Sequence, residues 1–326
     1  MVIWMEKDKI SNFKNYKSDD QIMELYKNAF SDNSNLIITK LSGGMKNSVY
    51  LLDNSGEKVV LKIAPKDESK MISVDRNVLW WENEMLKLMK TINFPSPESL
   101  YYDESHNLCE SPYLFMSYIP GVNYLENKNS IDNKVVKNIE YEIGKLSSKI
   151  SAIKKDCFFL PAYPNKTFEN NYEFVNFLFE LLLNDASSVS LDLGKNSYKD
   201  IRDILKIYKN SLNNISNLTL THTDIWDGNI IINNNRILGI VDFSDLYYCD
   251  ELMNFYFHTI DGKTSEYFLR GYGKLNLNTD EQIRIEIYRM YVILKMIVDC
   301  KLKSYGKFDW MYNNLDTRIK SLTKKI

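Results

Sequence analysis

The chain has 326 residues, 44% of them hydrophobic, and its 41 basic and 43 acidic side chains leave a formal net charge of −2. That length exceeds a usual single domain and predicts two lobes around a sizeable core. The near-neutral balance argues against a general nucleic-acid or membrane-surface binder, and no apolar run approaches the ~20 residues of a membrane span.

In chain order, "MVIWMEKDKISNFKNYK" turns charged within a few residues and lacks a signal-peptide core. "SDDQIMELYKNAF" reads as a helix capped by Asp19 or Asp20, with Ile22, Met23, Tyr26 and Phe30 at helical spacing. Three β-rich runs follow, "LIITKL", "SVYLLD" and "KVVLKIA", with turns supplied by "LSGG" and "DNSGEK". A helix is expected from about Val78 to Thr91, closed by "FPSP". "SPYLFMSYIPG" reads as a buried strand entering a Pro-Gly turn. Beyond Gly121 the pattern becomes helical: Val135, Ile139, Ile143, Leu146, Ile150 and Ile153 mark one long amphipathic helix. Further helices are expected in "NNYEFVNFLFELLLND", "DIRDILKIYKNSLNNI", "EQIRIEIYRMYVILKMIVDCKLKSY" and "DWMYNNLDTRIKSL". This predicts a β-rich lobe over 1–120, a hinge at about 115–121, and a helical lobe over 121–326. Cys109, Cys157, Cys249 and Cys300 are too widely spaced for a metal knuckle, so free thiols in a reducing, cytoplasmic setting are expected.

The chemistry concentrates in "THTDIWDGNIIINNNRILGIVDFSD", Thr221 to Asp245, where acids crowd with Arg236 as the only basic residue. Carboxylates this close repel unless something positive lies among them. Asp242 is expected on a short buried strand, "ILGIVDF". With the amide oxygen of Asn229 it makes a hard oxygen pair suited to Mg²⁺, which proteins hold through one or two carboxylates plus substrate phosphates. Asp224 is left as base or orienter for a hydroxyl. Upstream, Ser42, Gly43 and Gly44 form a turn whose backbone amides suit a phosphate chain. Lys62 sits among apolar neighbours and needs an acid, Glu82 or Glu84. Three histidines and no HExxH speak against a zinc hydrolase, and no Walker A motif is present.

The ordered set resembles the aminoglycoside phosphotransferase family, the small-molecule branch of the protein-kinase-like fold. "HTDIWDGN" is similar to its catalytic loop, "GIVDFSD" to its metal segment, "LSGGMKNSVY" to its nucleotide loop, "VVLKIA" to its lysine strand, "ENEMLKLM" to its glutamate helix and "PYLFMSYIPG" to its hinge. The resemblance implies an α+β, bilobal fold with a small antiparallel-sheet lobe and a mostly helical one. It implies transfer of the γ-phosphate of ATP or GTP to a hydroxyl. Asp224 would be the catalytic base, Asn229 and Asp242 the Mg²⁺ ligands, and Lys62 the α/β-phosphate contact. Glu82 would position Lys62, being preferred over Glu84 by its spacing to Leu86 and Met89. His222 would brace the loop, and the backbone of Ser117, Tyr118 and Ile119 would meet the base. The chain departs from the family pattern at Ser117, where an acid is common, and at Asn254.

For the acceptor, the resemblance points to a polycationic aminoglycoside-type antibiotic, hence to resistance. The surplus acids Asp245, Asp250 and Glu251 are expected to favour such a cation. Metabolic acceptors (choline-, homoserine- or methylthioribose-like) and a nucleotide-binding pseudokinase are the alternatives. Trp226 and Asp227 suit either loop surface or the acceptor.

Overall fold

Ser18, one residue before the expected caps Asp19 and Asp20, starts the first helix. Its hydroxyl accepts from Gln21 N–H while the Gln21 side chain accepts from Ser18 N–H, which closes a capping box on α1 (Asp19–Phe30). The computed structural model describes residues 14–32, 36–41, 46–255 and 264–324; the candidate phosphate-loop residues Ser42, Gly43 and Gly44 lie outside these.

The small lobe is a five-stranded antiparallel sheet of β1 (Ile37–Leu41), β2 (Ser48–Asn54), β3 (Glu57–Ile63), β4 (Ser99–Asp103) and β5 (Tyr113–Ser117), in the order β1-β2-β3-β5-β4. The first three strands and β5 fall on the β-rich runs of the sequence. β4 has no such run: "SLYYD" lies at the sheet edge with its side chains mostly half-buried, so no apolar alternation marks it. Alternation sorts the two faces. Tyr113 and Phe115 pack with Leu61, Ile63 and the α1 residues Ile22 and Leu25. Leu114 and Met116 point the other way, into the main core, and Lys62 pairs in register with Leu114. α2 (Leu79–Thr91) lies on that second side, where the Trp81 indole N–H donates to the Leu246 carbonyl at 2.7 Å.

After β5, β6 (Val122–Asn123) pairs with β8 (Ile230–Asn233), which pairs with β9 (Arg236–Ile240). The short α3 (Tyr124–Asn127) leads to the helical lobe of α4 (Asn133–Ser151), α5 (Asn171–Ser188), α6 (Tyr198–Ile207) and α7 (Lys209–Asn213). Then come β7 (Leu218–His222) and its antiparallel partner β10 (Leu246–Asp250), followed by α8 (Glu266–Tyr272), α9 (Thr279–Leu302) and α10 (Asp309–Thr323). α9 is buried over most of its circumference and forms the axis of the lobe. α4 and α8 touch backbone to backbone: a Cβ at Gly144 would lie 2.2 Å from the Phe268 carbonyl oxygen, and one at Gly271 1.9 Å from that of Tyr141. Only glycine permits that approach. Among the described residues no helix is long and apolar enough to cross a membrane.

One core runs from α2 and the inner sheet face through the helical lobe, while α1 and the outer face form a second cluster. The fold is α+β and protein-kinase-like, with a small antiparallel-sheet lobe and a mostly helical one.

Candidate active site

Lys62 leaves β3 on the face away from α1, so it points toward the helical lobe. Its ammonium lies 2.8 and 2.7 Å from the two Glu82 carboxylate oxygens and 2.8 Å from Asp242 Oδ1. Burial alone would lower the Lys62 pKa, but Asp242 and Glu82 outweigh it and hold the ammonium above its ordinary value. Glu82 is only 1% exposed, and its carboxylate also accepts the Phe243 N–H at 3.2 Å. Glu84, two residues on, faces outward and pairs with Lys87. For Asp242, burial pushes its pKa up, while Lys62 and Lys46 pull harder and leave it below the usual carboxylate range.

Asp242 lies two residues past the end of β9, not on a strand as the run "ILGIVDF" suggests. Its backbone is left-handed, φ 69° and ψ 71°, a region an Asp tolerates better than most residues. That turn swings the carboxylate out of the β9 ladder and toward Lys62. Gly239 within β9 lets the hinge approach, since a Cβ there would sit 2.4 Å from Ile119 Cδ1.

The catalytic-loop candidates follow β7. His222 is fully buried, edge-on to Phe243, and its Nδ1 accepts the Asp224 N–H at 3.2 Å. Burial pushes its pKa down to about 4, which keeps the imidazole neutral and fits a loop brace. Asn229 Nδ2 donates to the Asp224 carbonyl at 2.8 Å and to Asp224 Oδ2 at 2.9 Å, so its Oδ1 is turned away from Asp224. The Asn229 carbonyl accepts the Val241 N–H at 2.9 Å, which ties the loop to the residue before Asp242. Burial and the charges of Asp245 and Asp242 push the Asp224 carboxyl up to about 8, against the pull of Lys295 and Lys46. On the far side of the loop, Asn123 Nδ2 donates to the Gly228 carbonyl at 2.6 Å and Lys128 pairs with Asp227 at 2.8 Å.

The donor set suits a hard cation. Asn229 Oδ1 and the Asp242 carboxylate are both oxygen donors. Among the described residues no group of three or more His, Cys, Asp or Glu could hold a metal by itself. A cation at this pair would therefore complete its shell from phosphate or water oxygens.

The three acids expected at the acceptor are spent elsewhere. Asp250 has no exposed surface; it accepts from Arg284 Nε at 2.8 Å and from the Tyr288 hydroxyl at 2.8 Å. Glu251 accepts from Lys274 and the Tyr272 hydroxyl, both at 3.0 Å. Asp245 is 3% exposed and is held by Lys46 and Lys295 at 2.8 and 3.0 Å. Its carboxylate sits well below the usual range, because those two ammoniums overcome the effect of burial. Carboxylates so paired present little negative charge to a ligand, and we assign Asp250 and Glu251 no acceptor role. Sequence reasoning missed Lys46, Asp75 and Lys295 near the site. The signals were a lysine two residues after Gly44 and a lone lysine in the apolar run "YVILKMIV".

At the expected hinge, Ser117 N–H donates to the Glu98 carbonyl at 2.9 Å and its hydroxyl accepts the Glu98 N–H at 2.8 Å, while the Ile119 carbonyl accepts from Gly121. Tyr118 places its ring under the Lys58 ammonium, 5.8 Å from the centroid.

The model of the phosphotransferase enzyme family matches residues 37–284. No curated protein sequence matches the chain. Among solved structures, the chain is similar to a protein of Haemophilus somnus 129PT described provisionally as a fructosamine-3-kinase, with TM-score 0.68, 16% identity, and 92% of this chain and 96% of that one covered. It is similar to the aminoglycoside phosphotransferase APH(4)-Ia, with TM-score 0.68, 15% identity and coverage of 93% and 99%. It is also similar to APH(2")-IIa in its ternary complex with streptomycin and ATP, with TM-score 0.61, 20% identity and coverage of 95% and 97%. At these identities the structures speak for the fold alone, whereas the family model spans most of the chain: the protein belongs to the phosphotransferase enzyme family.

Proposed function

We propose that the protein transfers the γ-phosphate of ATP or GTP to a hydroxyl of a small molecule, with an aminoglycoside-type, amine-bearing alcohol as the acceptor class. The observation that carries the reading is the bridge from Lys62 to Glu82 and Asp242, 2.7–2.8 Å on every contact, which joins the sheet lobe to the segment beside Asp224. In this reading residues 1–120 form the nucleotide lobe and 121–326 the acceptor lobe. The backbone of Ser42, Gly43 and Gly44 would cover the phosphates, Lys62 would hold the α/β oxygens, and Glu82 would aim it. With the Ser117 amide committed to Glu98, the base would be met by the Ser117 carbonyl and the Ile119 amide, beside Tyr118. Asn229 and Asp242 would hold Mg²⁺, which when bound neutralises charge on the phosphates. Asp224, oriented by Asn229, would take the acceptor hydroxyl proton on a carboxylate oxygen.

Trp226 stands two residues beyond Asp224, is 39% exposed, and folds its ring over Gly228, where a Cβ would meet it at 2.4 Å. A fixed aromatic face there suits a sugar ring or an amine. One neighbour, APH(2")-IIa, solved with streptomycin and with gentamicin, and a second, APH(4)-Ia, solved with hygromycin B, support the acceptor class.

The test is a panel of aminoglycosides, fructosamine, choline, homoserine and methylthioribose with radiolabelled ATP and GTP. Asp224→Asn should lose about 10²-fold or more in transfer rate and keep nucleotide binding. Transfer confined to neutral or anionic alcohols would remove the amine-bearing class. Nucleotide binding without any transfer would favour the pseudokinase alternative.

A further inference from the structure

Lys46, Asp75, Asp245 and Lys295 form a closed ring of alternating charge. Lys46 Nζ lies 3.0 Å from Asp75 Oδ2 and 2.8 Å from Asp245 Oδ2; Lys295 Nζ lies 3.0 Å from Asp75 Oδ1 and 3.0 Å from Asp245 Oδ1. The four come from separate parts of the chain. Lys46 precedes β2, Asp75 ends the turn Ser73–Asp75 ahead of α2, Asp245 ends the turn Phe243–Asp245, and Lys295 lies within α9. Both carboxylates are almost fully buried, a state that requires pairing. Moving any one member breaks two contacts, so the ring holds the four segments to one another more firmly than an isolated pair would.

What the ring acts on is the start of the catalytic loop. The Asp245 carbonyl accepts both the Thr223 N–H, at 2.8 Å, and the Thr223 hydroxyl, at 2.9 Å. Thr223 is the residue immediately before Asp224. The Tyr247 hydroxyl adds a further bond to Asp245 Oδ1, at 3.1 Å. We propose that Lys46 and Lys295 are positioning residues: by locking Asp245 between the two lobes they hold Thr223, and so Asp224, in register with the Lys62–Glu82 pair. In its catalytic consequence this rests on the phosphotransfer reading.

Hydrogen exchange on the full chain tests the positioning without any acceptor. In Lys295→Met, and in the near-isosteric Asp75→Asn, peptides covering Thr221 to Asn229 should exchange about tenfold faster or more, while α1 and α5 peptides keep the wild-type rate. Lys295→Arg, which retains the cation in a bulkier head group, should exchange more slowly than Lys295→Met. Catalytic-loop exchange unchanged in the broken ring, or accelerated equally in every helix, would overturn the proposal. If Lys295→Met does not fold, Asp75→Asn decides. With the acceptor found in the panel, Lys295→Met or Asp75→Asn should lower kcat about tenfold or more and leave nucleotide KM within about threefold, and an unchanged kcat would also overturn it. A wild-type protein that transfers to nothing counts against the phosphotransfer reading and leaves the exchange result to judge the ring.

Discussion

Replacing Lys62 by Met keeps a flexible chain of similar length and removes the ammonium. Glu82 is then left 1% exposed with the Phe243 N–H as its remaining partner from this cluster. Removing one member of a buried ion pair costs about 3–5 kcal/mol, chiefly because the other charge stays buried and unpaired. At about 2–3 °C per kcal/mol for a chain of this size, the melting temperature should fall by about 6–15 °C at pH 8. The loss should depend on pH. Burial already raises the Glu82 carboxyl and Lys62 opposes it, so the variant raises it further. A carboxyl raised in the folded state carries no penalty below its ordinary value of about 4.3 and an increasing one as pH rises toward the folded value. The destabilisation should therefore be largest at pH 8 and mostly relieved near pH 5. Glu82→Gln added to Lys62→Met removes the stranded charge while an amide oxygen can still accept from Phe243, so stability should largely return. Activity should not: both variants should stay about 10²-fold or more below wild type, because the ammonium proposed to hold the α/β-phosphate oxygens is gone in each. Thermal melts at the two pH values, read beside turnover per folded molecule, decide the matter. A Lys62→Met protein that melts like wild type at pH 8, or turns over normally, would refute the reasoning.

Asp242→Asn should raise the Mg²⁺ concentration needed for half-maximal rate by about tenfold or more, read by titrating Mg²⁺ against initial rate, since it removes the one carboxylate of the proposed pair. Trp226→Ala should raise acceptor KM more than it changes kcat, measured with nucleotide saturating, if the ring contributes uniform binding. Arg284→Met should strand Asp250, which has no exposed surface, and cost about 3–5 kcal/mol in chemical denaturation, with turnover per folded molecule retained. Gly271→Ala should cost about 1–3 kcal/mol by the same assay, because its Cβ would lie 1.9 Å from the Tyr141 carbonyl oxygen and backbone must part from backbone.

The element pattern was legible where residue type or spacing marks the structure. The β-branched residues Val59, Val60 and Ile63 mark β3, and Val135 to Ile150 recur at helical spacing, so β3 and α4 could be read directly. β4 escaped because its half-buried side chains carry no alternation, and the strand partners β7 and β10 because each follows from the other across a long chain separation. The left-handed turn at Asp242 also had no local mark, since an Asp takes up that conformation only when the surroundings demand it.

From its residues alone the chain declared an ordered set of phosphate, lysine, acid and amide segments, because each of those needs only short-range spacing and a resemblance in order. Which charges remain available to a ligand was a different matter. Asp245, Asp250 and Glu251 looked like a negative surface in sequence. The structure neutralises them with Lys46, 199 residues away from Asp245, with Lys295 at a separation of 50, with Arg284 at 34 and with Lys274 at 23. Likewise Glu82 and Glu84 differ by two positions on one helix, and the roughly 200° of rotation between them sends one to Lys62 and the other outward to Lys87. Charge pairing and burial depend on distance in space, so spacing along the chain could nominate these acids, and only the packing of the lobes could say which of them still faces the cleft.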